Sequence, residues 1–220
     1  MRVAGADVWK GKWIVVVLAD GKFAEAFCEA EFADAVASLD DCVAIGVDMP
    51  IGLPPGGERR PADTAARTVV GPRSSSVFST PPLELLMCAS AAEANGLARE
   101  RGWPGISAQA FGLKKQILAV GEVALDVERI WEVHPEVSFS EANDREPLAW
   151  SKTSWNGAAQ RRRILHAHGI TLSDDLGRAG KADVPDVLDA AIAAWSAHRI
   201  ANGARESLPE GAERIGAIWR

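Results

Sequence analysis

Residues 43–54 read VAIGVDMPIGLP. Four of the five residues before Asp48 are apolar, and Met49, Pro50, Ile51 and Leu53 follow it. A short apolar run bounded by turn residues has the composition of a central strand covered on both faces, as in parallel sheets. A carboxylate at the end of such a strand is costly to bury unless something pairs with it. The stretch therefore predicts a buried, parallel strand, and it directs attention to whatever other groups converge on Asp48.

Working outward, residues 3–8, 13–18 and 23–27 are strand-like runs separated by the turns WKGK and ADGK, which are hairpin signals. FADAVASL then reads as a helix leading into the strand that ends at Asp48. Three antiparallel strands, a helix and a parallel strand make a mixed α/β sheet. Downstream, PADTAARTVV reads as a helix. LELLMCASAAEANGLARE and SAQAFGLKKQILAVGEVA read as two further helices, a helical insertion around residues 83–121, with Gly96 and Gly121 near their ends. VERIWEVH resembles a strand, AAQRRRILHAHGI a basic helix, VPDVLDAAIAAWSAHRIANG a long helix, and RIGAIW a final strand. No repeat or linker suggests a domain boundary, so residues 1–220 are expected to form a single domain.

Composition narrows the function classes. The chain is 47% hydrophobic and 25% charged with a net charge of -6, which gives no general attraction to nucleic acid or anionic membrane. Any polyanion must then be held by a local patch. Cys28, Cys42 and Cys88 are odd in number and lack metal-ligand spacing, which points to buried thiols in a reducing compartment such as the cytoplasm. MRVAGADVWK has no signal-peptide core, and WIVVVLA is too short to span a bilayer, so a soluble protein is expected.

Five acids stand out by position. Asp7 lies in the first strand on the face opposite Ala6 and Val8, Asp48 ends the central strand, and Glu132 sits in the strand RIWEVH. Asp186 and Asp189 are neighbours at i, i+3 on the last long helix. Each alone fits a turn or capping role, as Asp183 does ahead of Pro185. Together they would meet outside the carboxyl ends of parallel strands, where α/β sheets place ligands. Convergent carboxylates repel unless a cation intervenes, so the set implies Mg²⁺ or Mn²⁺.

The basic residues complement them. GERRPADTAARTVVGPRSSSVF supplies Arg59, Arg60, Arg67 and Arg73 beside Ser74 and Ser75, a combination suited to phosphate oxygens. Arg161, Arg162 and Arg163 fit a phosphate patch or a solvated helix face equally well. His134 shares a strand face with Glu132 and is a candidate ligand or proton carrier. Trp195 falls on the apolar stripe of the last helix and reads as core.

The stretches GADVWKGKWIVVVL, IGVDMPIGLP, RRPADTAAR, GPRSSSVFSTPP, EVHPEVSF, SKTSWNG and DVLDAAIAAWSAHR together resemble the family called domain of unknown function 429, described as predicted nucleases of the RNase H-like fold. The resemblance spans nearly the whole chain. It implies that Asp7 is the first-strand metal-binding aspartate, and that Asp186 and Asp189 match the paired aspartates on the last helix of RuvC-type resolvases. The middle acid is Asp48 or Glu132. GPRSSSVFSTPP and the helices of residues 83–121 match no RNase H motif. Resolvase-like relatives are often dimers, so a homodimer is open.

Metal-dependent phosphodiester hydrolysis is accordingly the leading expectation. Two divalent ions on Asp7, Asp48, Glu132, Asp186 and Asp189 would activate water, while Arg67, Arg73, Ser74, Ser75 and His134 would contact a nucleic acid or nucleotide phosphodiester. A non-catalytic binding module is the main alternative. Phosphoryl transfer in the manner of sugar kinases or actin-like ATPases is a weaker one, because Asp7 is followed by VWKGK with a single Gly and not by a Gly-rich phosphate loop.

Overall fold

The computed structural model describes residues 1–220. Strands β1 (Arg2–Trp9), β2 (Lys12–Ala19) and β3 (Lys22–Glu29) form an antiparallel meander. Its two turns put Lys10, Gly11, Asp20 and Gly21 at φ of 49°, 78°, 49° and 76°. Paired left-handed residues match the right-handed twist of the flanking strands, which is why Gly stands second in each turn. Helix α1 (Phe32–Ala37) then crosses to β4 (Cys42–Val47), which runs parallel to β1 as the apolar stretch predicts. Strand β5 (Ile130–Glu132) extends the parallel part, giving a five-stranded sheet of order β3-β2-β1-β4-β5. This is an RNase H-like layout.

Between β4 and β5 lie α2 (Pro61–Val70), a 3₁₀ turn (Gly71–Ser76), α3 (Leu83–Leu86), α4 (Ala91–Glu100), α5 (Ala108–Gly112) and α6 (Lys114–Asp126). After β5 come α7 (Pro135–Ala142), α8 (Trp155–Ala167), a second 3₁₀ turn (Gly177–Lys181) and α9 (Val184–Ala201). The 83–121 insertion holds four helices where two continuous ones are expected. The chain breaks at Ser90, whose hydroxyl accepts from the Glu93 N–H while the Glu93 carboxylate accepts from the Ala89 N–H. It breaks again at Leu113, between α5 and α6, while Ser107, where the second expected helix begins, caps α5 through the Ala110 N–H. Gly96 and Gly121 lie inside α4 and α6 rather than near their ends. RIGAIW forms only β7 (Ile218–Trp219), paired with β6 (Ser207–Leu208) in a separate ribbon that touches the main sheet by the Val133–Trp219 bridge. None of the helices is long and apolar enough to cross a membrane.

Both faces of the sheet are covered. Ala4, Ala6, Trp13, Val15, Ile45 and Val47 pack against α1 and the inserted helices, with Phe32, Leu86, Ile117 and Val120 among their partners. Val3, Ile14, Val16, Leu18 and Ala44 pack against α9, with Phe139, Ile164 and Leu165 from α7 and α8. The α9 contact is unusually close. A Cβ on Gly5 would lie 2.1 Å from the Ala194 nitrogen and 2.2 Å from the Ala190 oxygen, and one on Gly46 would lie 2.5 Å from the Ala193 oxygen. Helix backbone therefore rests on strand backbone, with Ala190, Ala191, Ala193 and Ala194 all fully buried.

Gly5→Ala is expected to destabilise the protein by about 3 kcal/mol, because two main-chain segments would have to separate. Urea unfolding checks this, and a loss below about 0.5 kcal/mol would contradict the close packing of α9 on β1.

Candidate metal centre

The close contact of α9 with β1 and β4 brings three aspartates together. Asp7 lies on β1 two residues beyond Gly5, on the α9 face by strand alternation. Asp48 follows β4 two residues beyond Gly46, its N–H donating to the Ala6 carbonyl at 3.0 Å. Asp189 immediately precedes Ala190 on the helix that covers both strands. One carboxylate oxygen from each of Asp7, Asp48 and Asp189 lies within 4.8 Å of the others. They line a cleft of about 630 Å³ with Asp186, His134, Glu136, Ser75, Ser76, Phe78 and Lys152.

Such crowding has a predictable electrostatic result. Burial, then Asp48 and Asp189, pushes the Asp7 carboxyl well above the usual range. Burial, then Asp189, raises Asp48 to about 7. Asp186 is raised to about 6, again mainly by burial, with Lys152 opposing and Asp189 adding to the shift. Burial would lower the Lys152 ammonium, but Asp189, Asp7 and Asp48 reverse this and hold it above the usual lysine value. Its Nζ donates to Asp189 Oδ2 at 2.6 Å. Asp189 Oδ1 is buried without a hydrogen-bond partner, although Asp189 is only 1% exposed. An acceptor left bare in this position is what a hard cation would satisfy, and an all-carboxylate donor set suits Mg²⁺ or Mn²⁺.

The structure separates the other expected site residues. Glu132 is not brought into the triad. It pairs in register with Val47, one residue short of Asp48, and so points to Val47's side of the sheet. There its carboxylate takes both Arg60 Nη atoms, Nη1 at 2.8 Å, and the Ile51 N–H at 2.7 Å. Arg60, read from sequence with the phosphate-binding arginines, is 4% exposed and also meets Asp63 and Thr80 at 3.3 Å. Of the two candidates, Asp48 is therefore the one that the fold brings to Asp7 and Asp189, and Glu132 ties the MPIGLP loop to α2. Asp186 lines the cleft but stands outside the triad.

The expected phosphate contacts divide likewise. Arg67 is spent on the Val77 carbonyl, at 3.1 and 2.9 Å, and on Ser79 Oγ at 2.9 Å, and it lines a different, smaller pocket. Arg73 reaches the cleft, but its guanidinium donates to the carbonyls of Leu148 and Ala149 at 3.3 and 2.9 Å. Ser75 and Ser76 line the cleft and Ser74 does not. His134 does line it. Burial lowers its pKa despite Glu136, and its Nδ1 is buried without a partner. Arg161 is fully buried and paired with Glu136, so it belongs to no surface patch.

Lys152 was not apparent from sequence. It lies in SKTSWNG, two residues before Ser154, which caps α8 through the Gly157 N–H at 3.0 Å. The cap signal is local, whereas the approach to Asp189 arises from folding.

Comparison with known proteins yields one match: a family model described as "Protein of unknown function (DUF429)" covers residues 5–214. No curated protein and no solved structure matches the chain.

Two outcomes follow from this geometry. Glu132→Gln should cost about 3 kcal/mol in urea unfolding, since it breaks a buried ion pair, yet leave Mn²⁺ affinity within about threefold of wild type. Asp48 is raised from the ordinary aspartate value of about 3.9 to about 7, so between those limits the folded state holds the proton that the unfolded state has lost. Its contribution to metal-free stability is then fullest below pH 4, falls as pH rises through 7, and is flat above. Asp48→Asn should accordingly raise metal-free stability at pH 8 by about 2 kcal/mol and change it little at pH 4.

Proposed function

The chain belongs to the DUF429 family of proteins of unknown function, and from that premise we propose that it is a metal-dependent phosphodiester hydrolase acting on nucleic acid or a nucleotide. The observation that carries the proposal is the triad of Asp7, Asp48 and Asp189, mounted on two parallel strands and a helix, with Asp189 Oδ1 buried and unpartnered. Rigid elements suit the placement of metal ligands better than loops do. The site lies outside the carboxyl ends of β1 and β4, where α/β sheets bind ligands.

The three aspartates would hold Mg²⁺ or Mn²⁺. Such an ion, when bound, supplies Lewis-acid polarisation of a phosphoryl oxygen and a bound water of lowered pKa. The remaining tasks fall to the chain itself. Lys152 presents positive charge in a cleft whose titratable lining is mostly acidic, so it favours a phosphoryl group that the aspartates alone would repel. His134, neutral at pH 7 because burial lowers its pKa, can take a proton from water or shuttle one to the leaving oxygen. Phe78 offers an aromatic face against which a base can stack, and the Ser75 and Ser76 hydroxyls line the same wall. A cleft of about 630 Å³ is in the size range of small-ligand sites.

A non-catalytic binding module is the second reading, favoured by the ion pair that already satisfies one oxygen of Asp189. Turnover separates the two. With Mn²⁺ and a panel of single-stranded DNA, single-stranded RNA, duplexes and bis-p-nitrophenyl phosphate, wild type should cleave at least one substrate. Asp48→Asn should lose at least about 100-fold in rate while remaining folded. Cleavage undiminished in Asp48→Asn, or absent across the panel despite tight metal binding, would reject hydrolysis at this triad.

A further inference from the structure

The Lys152 ammonium is the one cation recorded in contact with the triad, at 2.6 Å from Asp189 Oδ2. We infer that Lys152 is a built-in second cation of this centre, so that the triad takes one divalent ion where a pair would otherwise sit. The inference rests on the triad being a metal centre and specifies how many ions it holds and which group completes it.

Charge balance is the first support. Three carboxylates within 4.8 Å of one another are neutralised by one dication together with one ammonium. A second dication would overcharge the triad. The other acids do not supply a second ligand set: Glu132 is consumed by Arg60 and Ile51, Glu136 lines the cleft but is paired with Arg161, and Asp186 lines the cleft but lies outside the triad. Two-metal sites hold ions about 3.5–4 Å apart and need ligands flanking both.

The two oxygens of Asp189 are the second support. Oδ2 is given to Lys152 and Oδ1 has no partner, so the carboxylate is already divided between an internal cation and an open coordination position.

The third support is that Lys152 is held rather than stray. Its loop is fastened by backbone carbonyls: Leu148 and Ala149 to Arg73, Trp150 to Arg161 Nη1 at 3.2 Å, and Ser151 to the Ser154 hydroxyl at 2.8 Å. Gly157 is required beneath it, since a Cβ there would lie 1.8 Å from the Ser151 oxygen. Arg73 and Arg161, both expected from sequence to be candidates for phosphate contact, instead fix the position of a lysine. An ammonium has three donors. One meets Asp189, and the side chain remains 41% exposed, which leaves donors for a phosphoryl oxygen entering the cleft. That is the charge-neutralising task of a second metal ion, carried out by a side chain.

The test is ion stoichiometry, read by calorimetric titration with Mn²⁺ and by electron paramagnetic resonance, on wild type, Lys152→Met and Lys152→Arg. Expected are one ion per chain with no spin coupling in wild type and in Lys152→Arg. Lys152→Met should take up two ions with a spin-coupled spectrum, or one ion bound at least tenfold more tightly. Two ions in wild type would overturn the inference while leaving the metal centre standing. So would one ion, with unchanged affinity, in a folded Lys152→Met. No ion in folded wild type at millimolar Mn²⁺ would overturn the metal centre itself. If Lys152→Met does not fold, the wild-type stoichiometry alone still decides.

Discussion

The contact on which the rest of this structure depends is backbone against backbone: α9 lying directly on β1 and β4 at Gly5 and Gly46. Helix–sheet packing ordinarily leaves room for side chains between the layers. Here two glycines and a run of alanines remove that room, and dispersion contacts between main-chain atoms take its place. The consequence is geometric. Asp7, Asp48 and Asp189 each sit within two residues of a contact point, so the tightest part of the core also sets the spacing of the carboxylates. Any looseness in the α9 interface would pass into the site within one turn of helix.

Bringing three acids together is unfavourable by itself, and the protein does not fully relieve it. Asp7 and Asp48 titrate far above their ordinary values because burial and mutual repulsion both oppose ionisation. Lys152 offsets part of this repulsion. Sites that store unfavourable electrostatics are commonly functional, since folding alone would have selected apolar or paired residues there. The contrast with Glu132 is instructive. Burial raises its carboxyl to about 7 as well, but there a bidentate arginine and a backbone N–H oppose the shift, whereas at Asp7 and Asp48 neighbouring acids add to it.

Arginine has an unexpected role in this fold. Arg60, Arg67, Arg73 and Arg161 are all turned inward onto carboxylates, hydroxyls or carbonyls and clamp the long connections that surround the cleft. Irregular segments have backbone acceptors with no ladder to join, and a planar guanidinium can satisfy two of them at once. The Pro-, Gly- and Ser-rich chain between Pro50 and Pro82 is thereby ordered without regular structure over much of its length.

The strands, their antiparallel and parallel pairing, and most helices were legible in the sequence because each depends on local periodicity and on turn residues such as Gly11 and Gly21. Asp7, Asp48 and Asp189 were legible as candidates because strand ends and helix spacing restrict where such acids can point. One break in the inserted helices was written locally too, in the serine cap at Ser90, but apolar content on both sides obscured it. Only the tertiary structure decided between Asp48 and Glu132, because a one-residue offset in the β4–β5 register sends the two acids to different sides of the sheet. Only it turned Arg60, Arg67 and Arg161 inward, and only it brought Lys152 to Asp189, 37 residues away in the chain. Local pattern constrains backbone conformation and facing, whereas the partner of a charge depends on which distant segments the packing brings within a few ångströms.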